Sequence, residues 1–189
     1  MRISARIERR SFTTTTSTSN GTVTGLAIRY GSESRDLGGF REIIQRGAVA
    51  ESLANPEVDQ IALWNHEPRL ILGRRSAGTL RLTDTAEGLA FEINLPKTSY
   101  GDDVRQLVER GDLKAMSFGF TVVPGGEKWT TRDGVKVRTL SAIQIHEISL
   151  VSDPAYLETS VKMRATPKQR FLALRRFRSI LESAGALPG

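Results

Sequence analysis

No cysteine occurs anywhere in the chain, which excludes a disulfide framework, a thiol nucleophile and a thiolate zinc site. Any nucleophile must therefore be an oxygen or an amine. Histidine is nearly as scarce, with only His66 and His146. Two histidines so far apart do not suit a zinc enzyme, and in a serine hydrolase one of them would have to be the general base. No stretch approaches the roughly 20 apolar residues that span a bilayer. Arg2, Arg6, Arg9 and Arg10 are not followed by the apolar run of a secretory signal. A soluble, intracellular protein with no membrane partner is expected. Phosphate loop, dinucleotide fingerprint and His-Glu-x-x-His are missing too, so neither cofactor nor metal is expected. Leu72-Gly73-Arg74-Arg75-Ser76-Ala77-Gly78 is basic but lacks the spacing of a phosphate cradle, and reads as a turn.

What the chain does have is enough apolar residues, 39% of 189, to bury the core of one domain. Its formal charge of +6 is unevenly spread. Lys162, Arg164, Lys168, Arg170, Arg175, Arg176 and Arg178 follow one another with no acidic residue between, and together exceed the whole net charge. Such a segment is either a solvated face or a docking device for an acidic partner or nucleic acid. A nucleic-acid-binding barrel is disfavoured, because the basic residues are not concentrated on the sheet and few rings interleave with them. Three segments follow: a flexible basic and Thr-rich stretch over 1–20, a main domain over 21–161, and a basic amphipathic helix or tail over 162–189.

Thr13 to Asn20 is all Thr and Ser until its final residue, which predicts a mobile loop, with regular structure beginning near Thr22. Short β-type runs then dominate: 22–30, 58–64, 79–83, 89–95, 117–123, 135–140 and 143–151. Leu89, Phe91, Ile93 and Leu95 alternate with Ala90, Glu92 and Asn94, the period of a half-buried strand. With Leu80 and Leu82 ahead of them, they predict a hairpin. Helices are predicted over 47–53, over 99–110 with Ser99 as cap and Gly111 as terminator, and over 167–183. About seven short strands with a few helices predict a mainly β fold, a barrel or sandwich with helical decoration.

Three residues could carry chemistry. Ser117, in Met116-Ser117-Phe118-Gly119-Phe120, opens a strand whose Phe118, Phe120 and Val122 face one way, so that Ser117, Gly119 and Thr121 face the other. Gly119 would leave room beside the hydroxyl for another backbone, such as a peptide substrate. The same pattern also describes an ordinary strand serine beside a packing glycine. His66 follows the apolar run Ile61 to Trp64 and precedes Glu67-Pro68, where proline should stop the strand. An imidazole, with an unperturbed pKa of about 6.5, can take a serine proton and return it near neutral pH. A rim histidine looks the same. Glu147 shares a face with Ile143 and Ile145 if its strand is regular, so a carboxylate falls where an apolar side chain is expected and requires a partner. That partner is an arginine or the N–H of a catalytic imidazole, whose tautomer Glu147 would fix. In a regular strand His146 points the opposite way, so His146 and Glu147 cannot serve one site.

With these residues the chain resembles the prohead maturation proteases of tailed bacteriophages, which are distantly similar in fold to the herpesvirus assemblins. The resemblance spans roughly Gly21 to Val161. Its landmarks run in order: Asp36-Leu37-Gly38-Gly39-Phe40-Arg41-Glu42, Arg46-Gly47-Ala48-Val49, Trp64-Asn65-His66, Leu72-Gly73-Arg74 with Gly78-Thr79-Leu80, Gly88-Leu89, Gly111-Asp112-Leu113-Lys114-Ala115-Met116-Ser117-Phe118-Gly119-Phe120, and Glu147-Ile148-Ser149-Leu150-Val151 with Pro154-Ala155-Tyr156. The resemblance implies a closed, herpesvirus-protease-like β-barrel of about seven strands surrounded by helices. It implies a serine endopeptidase, without cofactor, that works inside the immature capsid in the host cytoplasm. There it would cut scaffold sequence from the capsid precursor and cleave itself. Its nucleophile falls on Ser117, its base on His66 and its acidic third member on Glu147, with His146 the adjacent alternative where assemblins use a second histidine. Expected partners are the capsid precursor, the enzyme itself and a second copy as homodimer. A non-enzymatic capsid assembly or scaffold protein with the same barrel is the alternative.

Overall fold

Two strands that are buried along most of their length, over 115–122 and 143–151, become neighbouring interior strands of one sheet. The computed structural model describes residues 7–13, 16–19 and 21–152. Its first sheet has the order β1 (Glu8–Thr13), β9 (Ala115–Val122), β12 (Ile143–Val151), β5 (Ile61–Trp64), β6 (Glu67–Arg74). A second joins β10 (Glu127–Arg132), β11 (Val135–Leu140) and β4 (Phe40–Ile44). A third joins β2 (Ser17–Ser19), β3 (Thr22–Arg29), β8 (Gly88–Asn94) and β7 (Leu80–Asp84). The helices are α1 (Ala50–Ala54) and α2 (Ser99–Glu109).

One face of each central strand is fully apolar. Met116, Phe118 and Phe120 of β9 and Ile145, Ile148 and Leu150 of β12 are at most 2% exposed and join Val23, Ile28, Leu89, Phe91 and Ile93 in one core. Burying each such large side chain is worth about 1.5–3 kcal/mol, so this layer fixes the register of the strands that carry the polar face. β7 and β8 pair as the alternation predicts, Leu82 opposite Phe91. Helix α2 buries Val104 and Val108, and Gly111 follows it at φ +78°. Its cap is Thr98, whose hydroxyl accepts from the Gly101 amide at 3.2 Å, rather than Ser99.

The closed barrel of about seven strands surrounded by helices is not what forms. The described residues make three open sheets, twelve strands and only two short helices, too few to surround anything. Closure requires the first and last strands of a sheet to pair, but β1 and β6 lie at opposite edges of theirs. Proline at Pro68 suits such an edge, since it offers no N–H to a further neighbour. Regular structure also begins earlier than expected, at Glu8, because the charges of Glu8-Arg9-Arg10 are met by partners on other strands. The short β2 continues it inside the polar Thr/Ser run. β4 and β10 are likewise strands without a clear apolar period. The helix expected over 167–183 and the basic tail over 162–189 lie outside the described residues, as does Pro154-Ala155-Tyr156. No helix among the described residues is long and apolar enough to cross a membrane.

Candidate active site

The site is built on the polar face of β9 and β12, and a bulge puts Glu147 there. Ile145 pairs with Phe120 and Glu147 with Gly119, so the register shifts across His146. The extra residue reverses the parity of the strand. Ile143 and Ile145 before the bulge and Ile148 and Leu150 after it all face the core, while Glu147 and Ser149 fall on the face of Ser117 and Gly119. The expectation that Glu147 shares a face with Ile143 and Ile145 is thus overturned. Ser149 lies directly opposite Ser117.

His66 arrives from a different direction. Asn65 and His66, with φ of +51° and +58°, form the two-residue turn between β5 and β6. Positive φ at both central positions is the turn that matches strand twist in hairpins, and Asn tolerates it well. Strand β6 therefore starts at Glu67, and Pro68 does not stop it. β5 runs parallel to β12, with Trp64 opposite Leu150. The Asn65 amide donates to the Leu150 carbonyl at 2.9 Å, and Asn65 Oδ1 accepts from the Ser152 amide at 3.2 Å. These bonds fix the imidazole relative to β12.

The result is a hydrogen-bonded cluster. His66 Nδ1 lies 2.7 Å from Glu147 Oε1, and the two side chains are 7% and 8% exposed. Ser149 Oγ donates to Glu147 Oε2 at 2.9 Å and lies 3.2 Å from His66 Nδ1. An ionised carboxylate only accepts, so the proton sits on Nδ1 and Nε2 keeps its lone pair. Arg9 Nε of β1 also donates to Glu147 Oε1, at 3.0 Å. Burial pushes the Glu147 carboxyl up, but the His66, Arg9 and Ser149 contacts together outweigh it and hold the group below the ordinary carboxylate range. Both partners foreseen for this carboxylate, an arginine and an imidazole, are present at once.

Three buried side-chain polar atoms are left over among the described residues, Trp64 Nε1 and two at the site. Ser117 Oγ and His66 Nε2 are both buried and find no hydrogen-bond partner, in each other or in any other described residue. A buried polar atom without a partner costs about 1–3 kcal/mol, and native structures tolerate few of them. Gly119 does not leave space for an approaching backbone. A Cβ there would lie 2.8 Å from Glu147 Cγ and 2.9 Å from Oε1, so the missing side chain makes room for the carboxylate.

His146, in the bulge, meets Thr121 Oγ1 through Nε2 at 3.1 Å, and burial lowers its pKa against the pull of Glu147. It is not the group that touches His66. Ser149, Arg9 and Asn65 escaped the sequence reading. For Ser149 a signal was available: the apolar positions change from odd to even between Ile145 and Ile148, which marks a bulge and moves Glu147 and Ser149 together. Among the described residues no group of acidic or histidine side chains could hold a metal ion.

The arrangement can hold an imidazole in one tautomer, with its free nitrogen on the same side of the sheet as a serine hydroxyl. Comparison with known proteins gives it a context. Residues 6–172 match the family described as Caudovirus prohead serine protease. No curated protein matches. Among solved structures the bacteriophage T4 capsid assembly protease is similar, with a TM-score of 0.53 over 77% of this chain and 97% of that one. At 6% identity the likeness is one of fold alone.

Proposed function

Because the chain belongs to the caudovirus prohead serine protease family, we propose that it is a serine endopeptidase with Ser117 as nucleophile, His66 as general base and Glu147 as the acid that orients the base. The observation that carries this reading is the 2.7 Å contact between His66 Nδ1 and Glu147 Oε1, on the face of the sheet that also carries Ser117. In a working serine–histidine pair His66 Nε2 and Ser117 Oγ bond each other, so the reading requires them to come within hydrogen-bond reach when substrate binds.

In the reaction Ser117 Oγ attacks the scissile carbonyl carbon and its proton passes to His66 Nε2. The tetrahedral intermediate collapses, the C–N bond breaks, and Nε2 returns the proton to the leaving amine. Water then attacks the acyl-enzyme with His66 again as base, and the serine leaves with its proton restored. Glu147 keeps the second imidazole proton on Nδ1 and offsets the positive charge that appears on the ring in each half-reaction. Ser149 holds the other carboxylate oxygen, so the carboxylate cannot rotate away.

Membership of the family supports the setting of this reading. The substrates are the scaffold part of the capsid precursor and the enzyme itself, cut inside the immature capsid in the host cytoplasm. All three catalytic side chains come from one copy, so a homodimer is not required to assemble them. Mass spectrometry of the purified chain, incubated concentrated at about pH 7.5 beside Ser117→Ala, tests the assignment. Defined fragments in the parent alone support it, and equal fragments in both overturn it.

A further inference from the structure

Strand β9, which carries Ser117, has two edges. One is closed by β12, which supplies Glu147 and Ser149 and belongs to the core. The other is taken by β1 over Ala115 to Phe120, from Glu8 opposite Phe120 to Thr13 opposite Ala115, with Ser11 opposite Ser117. A peptide cut by a serine on a strand must bring its backbone alongside that strand, and adding an extended strand to a sheet edge is the recurrent way to do so. The only edge of β9 available for that is the one β1 occupies.

We infer that the outer edge of β9 is the site where a substrate strand binds, and that β1 is its built-in occupant, which leaves before a peptide is cut. The inference rests on the proposed function and names how the substrate is held. Three observations on β1 carry it. By register Arg9 and Ser11 lie on the face of Glu147, Ser149 and Ser117, so the strand runs across the catalytic groups. Arg9 also binds the same oxygen, Glu147 Oε1, that holds His66 Nδ1, so β1 draws on the carboxylate that the base needs. Finally, β1 is clamped through charges whose partners, Arg138 and Glu42, also bond each other. Glu8 makes two bonds to Arg138, at 2.7 and 3.0 Å, and Arg10 makes two to Glu42, at 2.9 and 3.0 Å. Arg138 also bonds Glu42 at 3.1 Å and pairs with Glu127, so when β1 departs the Arg138 and Glu42 charges still face each other, while Glu42 Oε1 loses Arg10. A strand integral to the core would leave a different ledger. β1 contributes Phe12 to the margin of the core, and none of Glu8 to Phe12 is among the buried residues.

An extended peptide replacing β1 would meet the same backbone edge and the same hydroxyl, and would free Glu147 from Arg9. The occupant is thus both a stand-in for substrate and a restraint on the base. Access to Ser117 would then be governed by exchange of one six-residue strand.

The absence of native cysteine makes the test clean. Thr13→Cys with Ala115→Cys joins two directly opposed residues of β1 and β9, and opposed residues of an antiparallel pair lie about 4.5–5.5 Å apart, within what a disulfide spans. In the full chain, the oxidised form holds β1 in place and the reduced form releases it. Labelling of Ser117 by a fluorophosphonate, located by mass spectrometry, is expected to be at least tenfold faster reduced than oxidised. Arg9→Ala, at a half-exposed side chain, is expected to label faster than the parent. Equal labelling of both redox forms, abolished by Ser117→Ala, overturns the inference and leaves the nucleophile standing. No labelling of Ser117 in any form overturns the serine peptidase reading and the inference with it.

Discussion

Nδ1 of His66 and Oε1 of Glu147 are 2.7 Å apart although 81 residues separate them in the chain. Neither local pattern nor composition brings them together. The parallel pairing of β5 with β12 and the bulge at His146 do so jointly, one placing the turn and the other turning the carboxylate toward it. If this contact serves catalysis, each feature that maintains it has a measurable signature.

Glu147→Gln keeps the shape of the side chain and removes its charge. The amide no longer favours the proton on Nδ1 and no longer stabilises the imidazolium. We expect the cleavage rate at saturating substrate to fall on the order of 10²- to 10⁴-fold with little change in KM. A loss confined to KM would place Glu147 in substrate binding instead.

The same carboxyl leaves a mark on stability. Its pKa is held below the ordinary range in the folded state. An acid depressed in this way contributes stability that is present above its unfolded value, about 4.3 for Glu, and is lost as pH falls through the folded value. The parent should therefore lose Tm more steeply than Glu147→Gln as pH drops below about 4. Parallel Tm curves for the two chains would show that the carboxyl is not held by its contacts.

Gly119→Ala would place a methyl group 2.8 Å from Glu147 Cγ. Overpacking of this kind costs about 1–3 kcal/mol, and the displaced carboxylate should cost at least tenfold in rate. Adding Glu147→Asp, whose shorter side chain makes way, should recover part of the stability in the double variant. Strictly additive losses in a thermal denaturation cycle would argue against the collision.

Ser149→Ala removes the donor to Glu147 Oε2 and leaves a buried carboxylate oxygen short of a partner. A destabilisation of about 1–3 kcal/mol is expected. Because Ser149 acts by positioning, kcat should fall while KM stays near the parent value. If stability falls and kcat does not, its role is structural only.

At Asn65, φ of +51° and the bond to the Ser152 amide explain the residue. Asn65→Ala should cost about 1 kcal/mol or more, and Asn65→Gly distinctly less, since glycine accepts the left-handed conformation. Chemical denaturation of the two variants tests the order. An alanine variant as stable as the glycine one would show that the turn is not maintained.

The residues of this candidate site are more legible in the sequence than their geometry. Ser117, His66 and Glu147 stood out as a hydroxyl on the less apolar side of a strand, a rare imidazole and a carboxylate out of pattern. The bulge that explains the carboxylate is written in the shift from Ile145 to Ile148, which a regular-strand reading passes over. Arg9 could not be seen, because the contact depends on β1 pairing with a strand more than a hundred residues away. Strand β1 itself is charged rather than apolar, and its pairing shows only when Arg138 and Glu42 are in place. The same non-local pairing decides whether a sheet closes. Hydrophobic alternation predicted strands such as β7 and β8 well, and said nothing of β1 and β6 remaining at opposite edges.

Co-expression of the chain with a capsid precursor of its own phage, followed by intact-mass analysis of the precursor, puts the catalytic assignment to work on a substrate. The account predicts a shortened precursor with the parent chain and a full-length one with Ser117→Ala and with His66→Ala. A precursor shortened equally by Ser117→Ala would contradict it.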